Sequence, residues 1–133
     1  NFIDTHAQKD LTATDFMRSG VSTVSARRGV NECDSKMQRR NVDTLIVVDD
    51  QDRYQGTVSI ADIRLTGHVV KTIEPLIRCN TPTVHTGDSA KDCFDLLISS
   101  GAPYLIVLNE EEKVDGIITK TSMTSAMAEQ LWG

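Results

Sequence analysis

The chain has 133 residues, of which 39% are hydrophobic and 25% charged, with a formal net charge of −5. This is ordinary globular composition, enough for one compact domain or two small intertwined repeats. The acidic balance argues against a nucleic-acid polymer as partner, because phosphate neutralisation needs a basic face, though a few local donors can still hold a single nucleotide.

The first residues, NFIDTHAQKD, are polar, lack an initiator Met and carry no signal-peptide pattern. They read as a linker (1–11) from a preceding domain, as expected of a piece cut from a longer protein. A helical turn, TATDFM, follows; Thr12 with Asp15 resembles a capping box with Asp in the Glu place. Residues 23–24 are a very short extended piece. The next helix carries a stripe of Val30, Cys33 and Met37, expected to be thin and rather exposed. Residues 45–48 form a continuous apolar run, mostly β-branched, that reads as a strand buried on both faces. An acidic turn, DDQDR, leads to a second strand over 54–59, and a helix follows over 60–66.

The chain then repeats itself. Shifted by 60 residues it aligns without a gap: STV meets PTV, TLIVVDD meets YLIVLNE, Gly56 meets Gly116, and Ser59 meets Thr119. The second copy opens with a helical turn, TIEPLI, and a short extended piece at 83–84. Its helix over about 89–99 has Ser89 as N-cap with Asp92 three residues on. It places Ala90, Cys93, Phe94, Leu97 and Ile98 on one face. Strands over 105–108 and 114–119 flank the acidic turn NEEEK. A last helix over about 121–131 spaces Met123, Met127 and Leu131 for burial. Each copy is β-α-β-β-α, so the chain is mixed α/β (α+β) in two pseudo-symmetric repeats, 12–68 and 72–131.

No apolar run nears the roughly 18 residues of a membrane span. There is no GxxxxGK[ST] loop. Cys33, Cys79 and Cys93 form no CxxC pair, which suggests a reducing, cytoplasmic setting, with Cys33 and Cys93 buried on helix faces. His6, His68 and His85 are scattered, so no metal site is expected. No nucleophile–base constellation recurs, and an enzyme is the least favoured reading.

The ordered set DFM…STVS, NVDTLIVVDDQDRYQGTVSIADI and its second-copy counterpart, over about 12–126, resembles a CBS-domain pair, or Bateman module. The resemblance implies repeats packed through their sheets, with clefts between them. It further implies that the junction hydroxyl contacts phosphate and the acid three residues on holds ribose hydroxyls. That places an ordinary nucleotide site at Gly56, Ser59, Asp62 and Thr119. A hydroxyl at a helix start is a natural anion contact, and a carboxylate suits a cis-diol. Ser59 and Asp62 could equally be a helix cap with its first-turn acid. In the second copy Ser122 stands in the acid's place, and Lys120 is either a phosphate contact or a solvated side chain. Tyr104, the counterpart of Thr44, is either a purine-stacking or a rim-packing aromatic.

Within the family, the phrases RNVDTLIVVDDQDRYQGTVSIADI and GAPYLIVLNEEEKVDGIITKTSM resemble the C-terminal pair of ATP-binding subunits of ABC importers for glycine betaine, carnitine or choline. The likeness implies partners: the ATPase domain of the same chain, the transporter's membrane subunits at the inner face of the plasma membrane, and a second copy in a homodimer. It also implies cyclic di-AMP at a dimer interface, inhibiting uptake, with Ser22, Val42, Thr44, Tyr104, Ile117 and Lys120 as contacts. The other readings are a sensor of ATP, ADP or AMP using Ser59 and Asp62, a ligand-free dimerisation element, and a sensor of ionic strength. No cofactor is required beyond a regulatory adenine nucleotide.

Overall fold

The computed structural model describes residues 10–66 and 68–132, with side chains described to residue 130. The element order is α1 (Ala13–Phe16), β1 (Thr23–Ser25), α2 (Val30–Arg40), β2 (Thr44–Val48), β3 (Tyr54–Ser59), α3 (Ile60–Thr66), a 3-10 turn (Glu74–Leu76), β4 (Thr83–His85), α4 (Ala90–Ser100), β5 (Leu105–Leu108), β6 (Val114–Ile118) and α5 (Lys120–Trp132). The fold is mixed α+β with two three-stranded sheets, ordered β1-β2-β3 and β4-β5-β6. The parallel pairs repeat at the 60-residue offset: Val24 faces Val47 and Val84 faces Val107. Strand β3 runs antiparallel to β2, with Leu45 opposite Val58.

The chain forms two compact units that interleave along the sequence. One holds the first sheet, residues 20–81 and a strap at 111–114; the other holds the second sheet with 10–19, 82–110 and 115–132. The opening turn α1 therefore packs in the unit of the second sheet, where Phe16 and Ala13 join Val84, Leu97, Leu105, Val107 and Ile118. The 3-10 turn and its flanks pack in the unit of the first sheet, where Ile73 joins Val24, Met37, Val47, Val58 and Ile63. In each unit the central strand is buried on both faces. Leu45 and Val47 alternate with Ile46 and Val48, and Leu105 and Val107 with Ile106 and Leu108, all under 7% exposed.

Several local expectations hold. Asp15 reaches back to accept the Thr12 amide at 2.9 Å. Ser89 Oγ accepts the Asp92 amide at 3.1 Å. Asn41 and Gly101, 60 residues apart, end their helices in the left-handed conformation. Cys33 and Cys93 are fully buried, and burial pushes the Cys93 thiol up to about 11.

Others are corrected. The stripe of Val30, Cys33 and Met37 is not thin or exposed; it is buried to 4% or less because Ile73 and its neighbours come from downstream to cover it. A helix's own periodicity cannot show that cover. In α4 the buried line is Cys93 and Leu97, with Ala90 packed against it, while Phe94 and Ile98 lie one position round the helix and stay about half exposed. In α5 Met123 is buried and Met127 is half exposed; the Leu131 side chain lies outside the described residues. The helical turn expected at TIEPLI is present, as a 3-10 turn over Glu74–Leu76 with Pro75 near its start. Proline removes one amide donor, which leaves little to hold a longer helix there.

Candidate functional site at two strand–helix junctions

Each unit contains one junction where a strand feeds directly into a helix. In the first, β3 ends at Ser59 and α3 begins at Ile60. Ser59 Oγ accepts the Asp62 amide at 3.1 Å, which caps the helix. The Asp62 carboxylate accepts two bonds from the Arg78 guanidinium, Nε at 2.7 Å and Nη2 at 3.3 Å. This fork holds the Asp62 carboxyl below the ordinary carboxylate range, with a smaller contribution from the Ser59 side chain. Arg78 itself is fixed by its backbone. It exchanges two hydrogen bonds with Thr57, at 2.8 and 2.9 Å, as an added bridge on β3.

Gly56 explains how that segment lies so close. A Cβ there would sit 2.6 Å from both the Arg78 carbonyl oxygen and Ile77 Cγ2. Its φ of +145° also disfavours any side chain. Chain packing on chain is thus sufficient reason for this glycine. Beside the ion pair a pocket of about 350 Å³ is lined by Asp62, Leu65, Thr66 and 75–78. A carboxylate has about four lone-pair positions and a guanidinium five donors, so the pair keeps capacity for both a hydroxyl and an anion.

The second junction is built from the same parts with different ends. Thr119 Oγ1 accepts the Ser122 amide at 2.9 Å, and Ser122 Oγ accepts the Thr119 amide at 2.9 Å. This is a reciprocal capping box. Ser122, in the place of Asp62, is 8% exposed, and its hydroxyl donates back to the Thr119 carbonyl at 3.1 Å. The donor and one acceptor position of this hydroxyl are taken up by the helix start, and it carries no charge to offer a diol. Lys120, the first residue of α5, is exposed. Arg18 is the counterpart of Arg78: it exchanges backbone bonds with Ile117 at 2.8 and 3.1 Å, and Gly116 makes room for it. With no acid facing it at Ser122, Arg18 forms no ion pair among the described residues, and it is exposed.

Of the other expected residues, Thr44 is brought beside Ser59 as its cross-strand partner, and its hydroxyl donates to Asp43 at 3.2 Å. Val42 is 44% exposed, and Ser22 is partly buried. These three belong to the unit of the first sheet. Tyr104, Ile117, Thr119 and Lys120 belong to the other, with Tyr104 and Ile117 partly buried. Arg18 and Arg78 were missed by sequence reasoning. Their signal was present: the 60-residue shift lays DFMR on PLIR, the only cations in those opening segments. Among the described residues no group of three or more His, Cys, Asp or Glu side chains could hold a metal ion. No described helix is long and apolar enough to cross a membrane.

Comparison with known proteins fits this geometry. The carnitine transport ATP-binding protein OpuCA of Listeria monocytogenes serotype 1/2a (strain 10403S) is 23% identical over 128 residues, covering 96% of this chain and 32% of that protein. The glycine betaine/carnitine/choline transport ATP-binding protein OpuCA of Bacillus subtilis (strain 168) is 27% identical over 111 residues, covering 84% and 29%. The chain thus spans about a third of the length of the curated relatives it matches. Among solved structures, CBSX2, a CBS-pair protein of Arabidopsis thaliana, in complex with AMP has the same fold. Its TM-score is 0.77 at 22% identity, with 90% of this chain and 98% of that one covered. The CBS domain model matches residues 13–66 and again 70–129. Each match opens with a segment that packs in the unit of the other sheet. With both repeats matched over most of its length, the chain belongs to the CBS domain family and carries two copies of that domain.

Proposed function

We propose that this CBS pair is the regulatory module of the ATP-binding subunit of an importer for glycine betaine, carnitine or choline. It works as a homodimer on the cytoplasmic face of the membrane, beside the ATPase domain and the transporter's membrane subunits. Its ligand is cyclic di-AMP, bound at the dimer interface, and binding inhibits uptake.

The observation that carries this reading is the difference between the two junctions. At the second, Ser122 is turned inward and the cations Lys120 and Arg18 are exposed, which suits phosphate and not a ribose diol. A cyclic dinucleotide presents two phosphates and needs no diol acceptor. Tyr104 offers a π-face to adenine, and stacking of this kind contributes roughly 1–3 kcal/mol per base. A twofold ligand on a twofold dimer lets each contact be made twice. Ser22, Val42, Thr44 and Ile117 complete the expected contacts. The similarity to OpuCA proteins supports the transporter context.

A second reading has its own support. Ser59, Asp62 and Arg78 stand together beside a pocket, and CBSX2 holds AMP on the same fold. On this reading an adenine mononucleotide binds at the first junction, with Gly56 beside Ser59 and Asp62 on the same repeat, and Thr119 is the corresponding contact of the second repeat. Calorimetry separates the two. Cyclic di-AMP should bind, Tyr104→Ala should weaken it more than tenfold, and Asp62→Ala should leave it unchanged. Loss of binding in Asp62→Ala alone would overturn the dinucleotide assignment and favour AMP, ADP or ATP.

A further inference from the structure

Helix α2 carries a feature that neither junction uses. A groove of about 370 Å³ runs along it, floored by Val24 and Cys33 and edged by Arg28, Lys36 and Arg39 with Asn31 and Ser35. One carboxylate, Glu32, enters the groove and lies 3.6 Å from Arg28. Among the described residues, neither Lys36 nor Arg39 has an ion-pair partner. Three cations against one acid is a local excess on a chain whose net charge is −5.

The fold does not call for these cations. In the second repeat the positions of Arg28, Lys36 and Arg39 hold Asp88, Leu96 and Ser99, on a helix of the same length. The helix dipole accounts for Arg39 and Arg40 in the last turn of α2. It does not account for Arg28, which lies at the opposite end, or for Lys36 in the middle. Lys36 is half-buried, and its ammonium reaches only the Thr23 carbonyl, at 3.5 Å. Burial, then Arg40 and Arg28, depress its pKa, so an unpaired cation is held among like charges. Such an arrangement is relieved by an anion.

We propose that the α2 groove is a binding site for a compact, multiply charged phosphate compound, distinct from the junction sites. The volume is that of a small-molecule site. Lys36 and Arg39 lie about one helical turn apart on α2 and Arg28 stands just before its start, so the cations are spread along the groove as the charges of a short phosphate chain are, rather than gathered about a single ion. Asn31 and Ser35 add neutral donors on the same face. Among the described residues no aromatic side chain lines the groove, so recognition is of the phosphates and not of a base.

The test is titration calorimetry of the 133-residue chain with inorganic triphosphate, with sulfate as the single-ion control. Triphosphate should bind at least tenfold more tightly than sulfate, and more weakly as salt rises. Lys36→Gln and Arg39→Gln should each weaken it severalfold, and together more than tenfold, while Lys91→Gln, a change at an exposed cation of α4, leaves it unchanged. Arg39 is exposed, so its variant tests the site even if Lys36→Gln lowers stability. No triphosphate binding, or binding lost in Lys91→Gln and kept in the double variant, overturns the proposal. So does binding to anionic lipid vesicles through Lys36 and Arg39 without binding of free triphosphate, which would make the groove a membrane contact.

Discussion

Gly116→Ala tests the exchange of segments between repeats. A Cβ at Gly116 would lie 2.6 Å from the Arg18 carbonyl oxygen and 3.0 Å from Met17 Sδ, whereas ordinary contact begins at 3.4 Å. The sulfur can swing away, but the carbonyl is backbone. Separating them stretches a bonded pair, Arg18 N to Ile117 O at 2.8 Å and Ile117 N to Arg18 O at 3.1 Å. Overpacking costs about 1–3 kcal/mol. Each hydrogen bond contributes about 1 kcal/mol, and the stiffer unfolded chain returns about 0.4–1 kcal/mol. The net loss is about 2–4 kcal/mol. For a chain of this size it lowers Tm by roughly 10 °C. Urea denaturation followed by circular dichroism measures it, with Gly87→Ala, which meets nothing within 4 Å, as control. Hydrogen exchange should quicken first at the Arg18 and Ile117 amides. A loss under about 0.5 kcal/mol, the usual scale of surface changes, would refute the close approach of 17–18 to β6.

Ser122→Ala removes one half of the second capping box and orphans the Thr119 amide, and should cost about 1 kcal/mol in the same assay. Of the three thiols only Cys79 is exposed, so a thiol reagent should modify one cysteine in the native chain and all three in denaturant. Because the Asp62 carboxyl is held below its ordinary value, the stability it gains from Arg78 is full above about pH 4 and is lost as pH falls through its native pKa. The gap in urea midpoint between the wild type and Arg78→Ala should therefore be larger at pH 7 than at pH 2.5, and an equal gap would show that the pair contributes nothing.

Most of the architecture was legible because it rests on local patterns. A short, continuous apolar run with β-branched residues such as Leu105 to Leu108 suits a buried strand, and the 60-residue repeat lets one copy vouch for the other. What was not legible came from contacts distant in sequence. The cover over Cys33 and Met37 comes from Ile73, and the close neighbour of Gly56 is Arg78. Neither has a periodic signature. The exposure of Phe94 and Ile98 fails for a related reason: a stripe at 3–4 spacing shows which side faces inward, not how wide the core beneath it is.

Why one junction carries an acid and the other a serine can be argued from the exchanged arginines. The fold places an arginine beside each junction through the same backbone bridge, Arg78 on Thr57 and Arg18 on Ile117. Beside the first, Asp62 neutralises the cation, and the pair presents mixed polarity to the neighbouring pocket. Beside the second, an acid at position 122 would meet Arg18 in the same way and cancel its charge. Ser122 instead turns inward and closes the helix cap, and among the described residues Arg18 and Lys120 are exposed cations without an ion-pair partner. A serine there costs the helix nothing, since the cap is complete without a carboxylate. The substitution therefore changes the electrostatics of the junction while preserving its structure. Under the function proposed above, that is the change a ligand offering phosphate rather than hydroxyl groups would call for.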